Sequence, residues 1–302
     1  MFTPRGLIGC PVTPLREDGS LDVGGLEKLV DFLVRNGVDS LALTMHLGES
    51  LNLSAEERKK VVEVALKTTA GRVPVMVHVS LPGTRQVIEL GCHAQDSGAA
   101  GVIVITPYYW TPPREVLIEH FTAICGELEI SVTGYNFPQK LGVSLTIDIL
   151  AELMATQANF VALKDASFDM EYFTEVCRLS GGLGRDFAVL PGIEYLLPTT
   201  VLGGAGSFSA CSAVAPNLVK SLFAACARGE YAKAKDLQFR VSRLYNAIRV
   251  DYPAGIKAAQ GLMGRPAGPT RLPVRAMNEE RLGRIKSEMT ALGLFETEPQ
   301  GW

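Results

Sequence analysis

Two side chains in this 302-residue sequence are placed to do covalent chemistry. Lys164 ends the apolar run Phe160-Val-Ala-Leu163, and Tyr135 follows the run Ile130–Gly134. An ordinary lysine, with a pKa of about 10.4, keeps well under 1% of its amine free at neutral pH. Apolar walls lower that pKa, and a drop of about two to three pH units frees a useful fraction at a cost of about 3–4 kcal/mol. A neutral amine attacks a ketone to give a Schiff base, whose protonated form withdraws electrons from the neighbouring carbon. A phenol within about 3 Å of the reacting oxygen relays a proton. The plainer readings stay open at this point: a strand-end lysine with its charge in water, and a tyrosine packed as strand tyrosines commonly are.

Other polar residues gather near the same strand ends, among them Thr13, Met45-His46-Leu47-Gly48-Glu49, His78 with Ser80, Tyr108-Tyr109, Gly192 and Ser207–Ser209. Tyr108-Tyr109, between Pro107 and Trp110, equally suits an aromatic plug at an interface. Gly203-Gly-Ala-Gly206 reads as a tight lead-in to the last strand, with a phosphate cradle as the minority reading. His46, His78, His93 and His120 lack paired ligand spacing, so no metal site is expected, and His93 and His120 fall inside helical patterns. No serine sits in a G-x-S-x-G elbow.

Short β-rich runs must position these groups: Leu7–Val12, Ser40–Thr44, Val73–Val79, Gly101–Ile105, Ile130–Gly134, Phe160–Leu163, Phe187–Leu190 and Gly206–Phe208. Their starts lie about 30 residues apart until the last, the length a strand–helix unit needs. Between them the period changes toward 3.6, as in Leu26, Leu29, Val30, Leu33 and Val34 before Gly37. Ser54-Ala-Glu-Glu57 has the form of a capping box. The run Val102–Ile105 is apolar throughout, as a strand buried on both faces would be. Eight units predict an α/β fold, a (β/α)8 TIM barrel over residues 1–225, whose active site lies at the carboxyl ends of its strands. A doubly wound sheet is the rival, but no G-x-G-x-x-G follows the first strand. Residues 226–302 then form a C-terminal helical extension, with Tyr231, Ala234, Leu237, Val241, Leu244 and Ile248 at helical spacing. Further helical segments fall near 253–263 and 278–293, around a loop at 264–273.

A net charge of -3 excludes nucleic acid or an anionic membrane as the main partner. The six cysteines are widely spread and suit buried positions better than a disulfide framework. No apolar stretch long enough to span a bilayer occurs, and Met1–Cys10 lacks the apolar core of a signal peptide. A reducing cytoplasm is the expected location.

Together these segments resemble the dihydrodipicolinate synthase / N-acetylneuraminate lyase family of Schiff-base enzymes. The resemblance rests on Gly9-Cys-Pro-Val-Thr-Pro-Leu15, Gly48-Glu49-Ser50, Thr106-Pro-Tyr-Tyr109, Tyr135-Asn-Phe-Pro138 and Ala162-Leu-Lys-Asp165. It continues through Leu190-Pro-Gly192, Gly203–Gly206 and Tyr252-Pro-Ala-Gly-Ile-Lys257. It implies a barrel with a C-terminal helical part, assembled as a homotetramer or dimer, needing no metal or organic cofactor. Lys164 matches the lysine that forms the Schiff base with pyruvate or another 2-oxo acid, and Tyr135 the tyrosine that assists proton transfer. Tyr109 matches a second tyrosine that in the synthases crosses a subunit interface. Gly192 and Phe208 match positions lining the pocket.

Two departures shape the functional expectation. The family's two hydroxyl residues before Gly-Glu are here His46 and Leu47, preceding Gly48. Leu47 keeps only its backbone N–H for a carboxylate, whereas His46 exchanges protons near pH 7. An arginine two positions past Tyr-Asn-x-Pro clamps the second substrate's carboxylate in the synthases, and here that place holds Lys140, which lacks the bidentate fork. The sequence therefore predicts a lysine Schiff-base lyase or aldolase on pyruvate or another 2-oxo acid, and not a true dihydrodipicolinate synthase. Dehydration or deamination of a hydroxylated or sugar-derived 2-oxo acid is the alternative. A catalytically silent ligand-binding paralogue and a phosphosugar enzyme are the remaining rivals.

Overall fold

The computed structural model describes residues 1–302. Eight parallel strands form one sheet: β1 (Gly6–Gly9), β2 (Ser40–Leu43), β3 (Val75–His78), β4 (Gly101–Ile105), β5 (Ser131–Asn136), β6 (Phe160–Asp165), β7 (Ala188–Pro191) and β8 (Gly206–Ser209). Their spatial order is β7-β6-β5-β4-β3-β2-β1-β8. The gap between β7 and β8 is bridged where Ala205 N–H donates to the Val189 carbonyl at 2.8 Å, so the sheet curls into a TIM barrel. Val102, Ile103 and Val104 are wholly buried, as an all-apolar strand beneath helices must be.

Helices α1 (Val23–Arg35), α2 (Ala55–Thr69), α3 (Thr84–Asp96), α4 (Arg114–Glu127), α5 (Pro138–Leu141), α6 (Ile147–Thr156), α7 (Met170–Gly181), α8 (Leu196–Val201) and α9 (Pro216–Ala227) follow the strands. The capping box forms: Ser54 Oγ accepts from Glu57 N–H at 3.2 Å while Glu57 Oε2 accepts from Ser54 N–H at 2.9 Å. Helices α10 (Tyr231–Ile248), α11 (Ala254–Leu262), α12 (Glu279–Ala291) and α13 (Leu294–Thr297) make up the C-terminal part. Their buried faces, including Val241, Leu244, Ile248, Ile285 and Met289, merge with the barrel's hydrophobic core. The stretch 264–273 is irregular yet firmly held. Arg265 is fully buried, donates to the carbonyls of Val214 and Gly301 at 3.0 and 3.1 Å, and stacks 4.1 Å from the Phe32 ring centroid.

Gly203–Gly206 is the tight lead-in to β8. The amides of Gly203, Gly204 and Ala205 donate to the carbonyls of Thr200, Thr199 and Val189, which leaves no amide cradle for a phosphate. Gly206 has φ +146, and a Cβ there would stand 2.0 Å from the Gly6 carbonyl oxygen. This run sits at the amino end of β8, away from the carboxyl-end rim. None of the six cysteines is in a disulfide, and four of them are buried.

Candidate active site

Strand register brings the two chemical residues together. Tyr135 on β5 lies opposite Lys164 on β6, and adjacent parallel strands in register send paired side chains to the same face. The Lys164 Nζ stands 3.6 Å from the Tyr135 ring centroid and 5.0 Å from that of Phe208. Lys164 is 5% exposed and Tyr135 is 4% exposed, and no carboxylate lies within ion-pair distance of the amine. Burial lowers the Lys164 pKa to about 8, against opposing pulls from Cys10 and Asp165. Asp165 is the next residue, so its side chain leaves the opposite face of the strand. There it accepts from Asn136 Nδ2 at 2.9 Å and Ser167 Oγ at 2.9 Å.

Tyr135 stacks on Phe137, centroids 5.8 Å apart, and meets His78 edge-on at 6.2 Å. Burial raises its pKa well above the ordinary phenol value, so the hydroxyl keeps its proton at neutral pH. His78 is buried and neutral: its pKa falls to about 3, through burial and then Arg58, and Nδ1 donates to the Thr44 carbonyl at 2.9 Å. The Cys10 thiol, held at the end of β1, is pushed up to about 12 by burial and is no nucleophile at neutral pH.

The segment after β2 forms one wall. Thr44 and Glu49 take positive φ, 50 and 53, on either side of the turn His46–Gly48. Gly48 N–H donates to the Met45 carbonyl at 2.9 Å, while the buried Leu47 amide has no backbone acceptor. Thr13 Oγ1 donates to the Gly48 carbonyl at 2.6 Å, and Arg58 Nε donates to the Ser50 carbonyl at 2.9 Å. Glu49 forms a buried ion pair with Lys257 Nζ at 2.8 Å and accepts from Arg271 N–H at 2.9 Å, anchoring the segment to the C-terminal part. His46 lines the same cavity as Lys164, exposed and with its ring 4.9 Å from that of Tyr252. Desolvation first, then the charges of Lys164 and Lys140, lowers its pKa to about 4, and water at the exposed ring weakens all of these effects.

These walls enclose a cavity of about 500 Å³. Lys164, Tyr135, His46, Leu47, Lys140, Gly192 and Phe208 all line it. At Gly192 a Cβ would meet the Ala166 Cβ at 2.7 Å, so glycine lets the backbone form that wall. Tyr109 does not reach the cavity: it is 88% exposed, with φ +75, and stands edge-on to Trp110. Gly48 lies behind the lining, its N–H spent within the turn. Sequence reasoning missed Cys10, Phe168, Tyr245, Arg249 and Tyr252, which also line the cavity. The Tyr252-Pro-Ala-Gly-Ile-Lys257 stretch, which carried part of the resemblance, held the signal for the last of these.

The family model described as Dihydrodipicolinate synthetase family matches residues 3–292. The chain belongs to this family. A 4-hydroxy-tetrahydrodipicolinate synthase from Methanothrix thermoacetophila is 34% identical over 290 residues, covering 95% of this chain and 97% of that protein. One from Aquifex aeolicus is 31% identical over 292 residues, covering 96% and 98%. Among solved structures, the prophage protein YagE of E. coli K12, belonging to the dihydrodipicolinic acid synthase family and in complex with pyruvate, is 32% identical with a TM-score of 0.92, covering 96% of this chain and 99% of that one. Family members are lyases that use a Schiff-base lysine and need no metal or organic cofactor, and this chain is a lyase of that Schiff-base family. The relatives carry the synthase name, so they lend no support to the expectation that this chain is not a synthase. No helix is long and apolar enough to cross a membrane.

Proposed function

We propose that Lys164 is the Schiff-base lysine and that the protein makes and breaks a carbon–carbon bond at C3 of pyruvate or a close 2-oxo acid. The observation that carries this is a buried amine with a pKa of about 8, unpaired and 3.6 Å from the ring of a protonated tyrosine. The free amine adds to the C2 carbonyl and expels water, giving an iminium. Loss of a C3 proton gives the enamine, whose C3 attacks the carbonyl carbon of an acceptor aldehyde while the aldehyde oxygen takes up a proton. Water then hydrolyses the iminium, releasing the product and restoring the amine; cleavage is the same sequence reversed. Tyr135 relays the protons, the Leu47 amide receives the 2-oxo acid carboxylate, and Gly192 and Phe208 hold the remaining walls.

His46 lines the same cavity, 4.9 Å from the Tyr252 ring, and is placed to exchange a proton with a substrate hydroxyl alongside Tyr135. We assign Tyr109 to the site of a second copy in a homo-oligomer, since no group of its own chain covers it. His46, Leu47 and Lys140 stand where the synthases carry two hydroxyl residues and an arginine, so the second substrate of the synthases belongs in the acceptor panel as a direct comparison.

Incubation with pyruvate and borohydride, followed by peptide mass analysis, should place a stable adduct on Lys164. Tyr135→Phe should still form that adduct while turnover falls about 10²- to 10⁴-fold. Clean trapping at another lysine overturns the assignment. Trapping at Lys164 with no turnover across a broad aldehyde panel identifies a ligand-binding paralogue instead.

A further inference from the structure

The cavity carries charge of one sign. Lys164 stands at its floor, Lys140 and Arg249 stand at its mouth, and no aspartate or glutamate lines it. Six arginines elsewhere on the surface, Arg5, Arg114, Arg178, Arg228, Arg243 and Arg284, are each in an ion pair with a carboxylate, while Arg16 and Arg275 are exposed without one. The side chains of Arg249 and Lys140, both exposed, are in no ion pair and no hydrogen bond. Arg249 follows the last turn of α10, and its guanidinium Cζ lies 5.9 Å from the ring centroid of Tyr245, another lining residue.

We propose that Arg249, together with Lys140, is the specificity-determining pair that selects 2-oxo acids bearing a second carboxylate. The proposal rests on the Schiff-base reading above, and it extends that reading to the far end of the substrate. Once the iminium has formed on Lys164, its charge balances the first carboxylate, and two cations remain at the mouth. A cavity of about 500 Å³ falls in the range that holds ligands well above the size of pyruvate. A guanidinium presents paired N–H donors that match the two oxygens of a carboxylate, which the ammonium of Lys140 cannot do alone. The recognition fork expected two positions after Tyr135-Asn-Phe-Pro138 is thus supplied from the other end of the sequence.

The test compares 2-oxoglutarate with 2-oxopentanoate, an acid of the same chain length with an uncharged tail. The half-saturating concentration of each in borohydride trapping is measured for the wild type, Arg249→Ala and Arg249→Lys. The wild type should saturate with 2-oxoglutarate at about tenfold lower concentration or better, the worth of a charge-assisted bond. In Arg249→Ala that ratio should fall close to one, through a weaker 2-oxoglutarate, while Arg249→Lys restores part of it. No preference in the wild type, or a preference that survives Arg249→Ala, overturns the proposal. If neither acid is trapped at Lys164 in the wild type, the failure lies with the Schiff-base reading itself.

Discussion

The Lys164 amine sets a pH dependence that can be worked out in advance. Its pKa of about 8, against an ordinary 10.5, leaves about one-tenth of the amines free at pH 7, where an unshifted lysine leaves about 0.03%. The rate of adduct formation with pyruvate should therefore climb about tenfold between pH 7 and pH 9 and then level off. An unshifted lysine would climb about a hundredfold over the same interval without a plateau. The window is clean, because His46 titrates near 4 and Tyr135 above its usual range. The assay is timed mixing with pyruvate, quenching with excess borohydride and quantification of the adduct by intact mass. Stability should rise with pH as well, over the interval between the folded-state and the ordinary lysine pKa. A lysine with a depressed folded-state pKa costs the fold its full penalty below pH 8, progressively less up to pH 10.5, and nothing beyond. That penalty is about 3 kcal/mol, of which the contact with the Tyr135 ring returns about 1–2 kcal/mol. Lys164→Met should thus be more stable than the wild type by about 1–3 kcal/mol at pH 7 in denaturant unfolding, with the gain shrinking toward pH 10.5. A trapping rate still rising steeply past pH 9, or a Lys164→Met variant less stable at pH 7, would refute the reasoning.

Two structural predictions accompany it. Lys257→Met leaves the Glu49 carboxylate buried without its cation and should cost about 3–5 kcal/mol in denaturant unfolding, whereas pairing it with Glu49→Gln should recover most of that loss. Gly206→Ala drives a methyl into the Gly6 carbonyl and should yield insoluble protein, while Gly203→Ala, at φ +95 with nothing nearby, should cost only about 1–2 kcal/mol and remain foldable; equal tolerance of both would contradict the β1–β8 packing.

The barrel was legible because each βα unit announces itself locally, by an apolar run and then a helical period ended by a turn. Strand limits shifted by up to three residues, and the shift mattered at one place. β5 and β6 run on to Asn136 and Asp165, which puts Tyr135 and Lys164 inside the ladder rather than just beyond it. Their pairing is a consequence of register, and register depends on neighbours in space that a single strand does not display. Arg249 and Tyr252 escaped for the same reason at longer range. Each reads locally as the end of a helix or the start of a turn, and only the packing of α10 and α11 against the barrel mouth makes them lining residues. Arg265 is the reverse case, a cation in a stretch rich in proline and glycine that reads as surface loop. It is fully buried because surrounding carbonyls satisfy its donors, a match no sequence pattern encodes.

The distribution of acids explains why the amine stays reactive. Ala-Leu-Lys-Asp places a carboxylate next to the lysine in sequence, and a direct ion pair would hold the ammonium charged. Strand alternation prevents it: Asp165 faces away, where Asn136 and Ser167 occupy its oxygens. The other buried carboxylates are similarly engaged. Glu49 faces Lys257, and Glu194 accepts from Ser209 Oγ at 2.8 Å and from Cys211 N–H at 2.6 Å. The fold thus keeps its acids on the outer side of the strands and in the supporting contacts, leaving cations alone inside the cavity. Desolvation lowers the affinity of both Lys164 and His46 for protons, repulsion from Lys164 and Lys140 adds to it at His46, and the unpaired cations raise the cavity's affinity for anions. An anionic 2-oxo acid is both the partner that relieves this imbalance and the reagent that consumes the free amine.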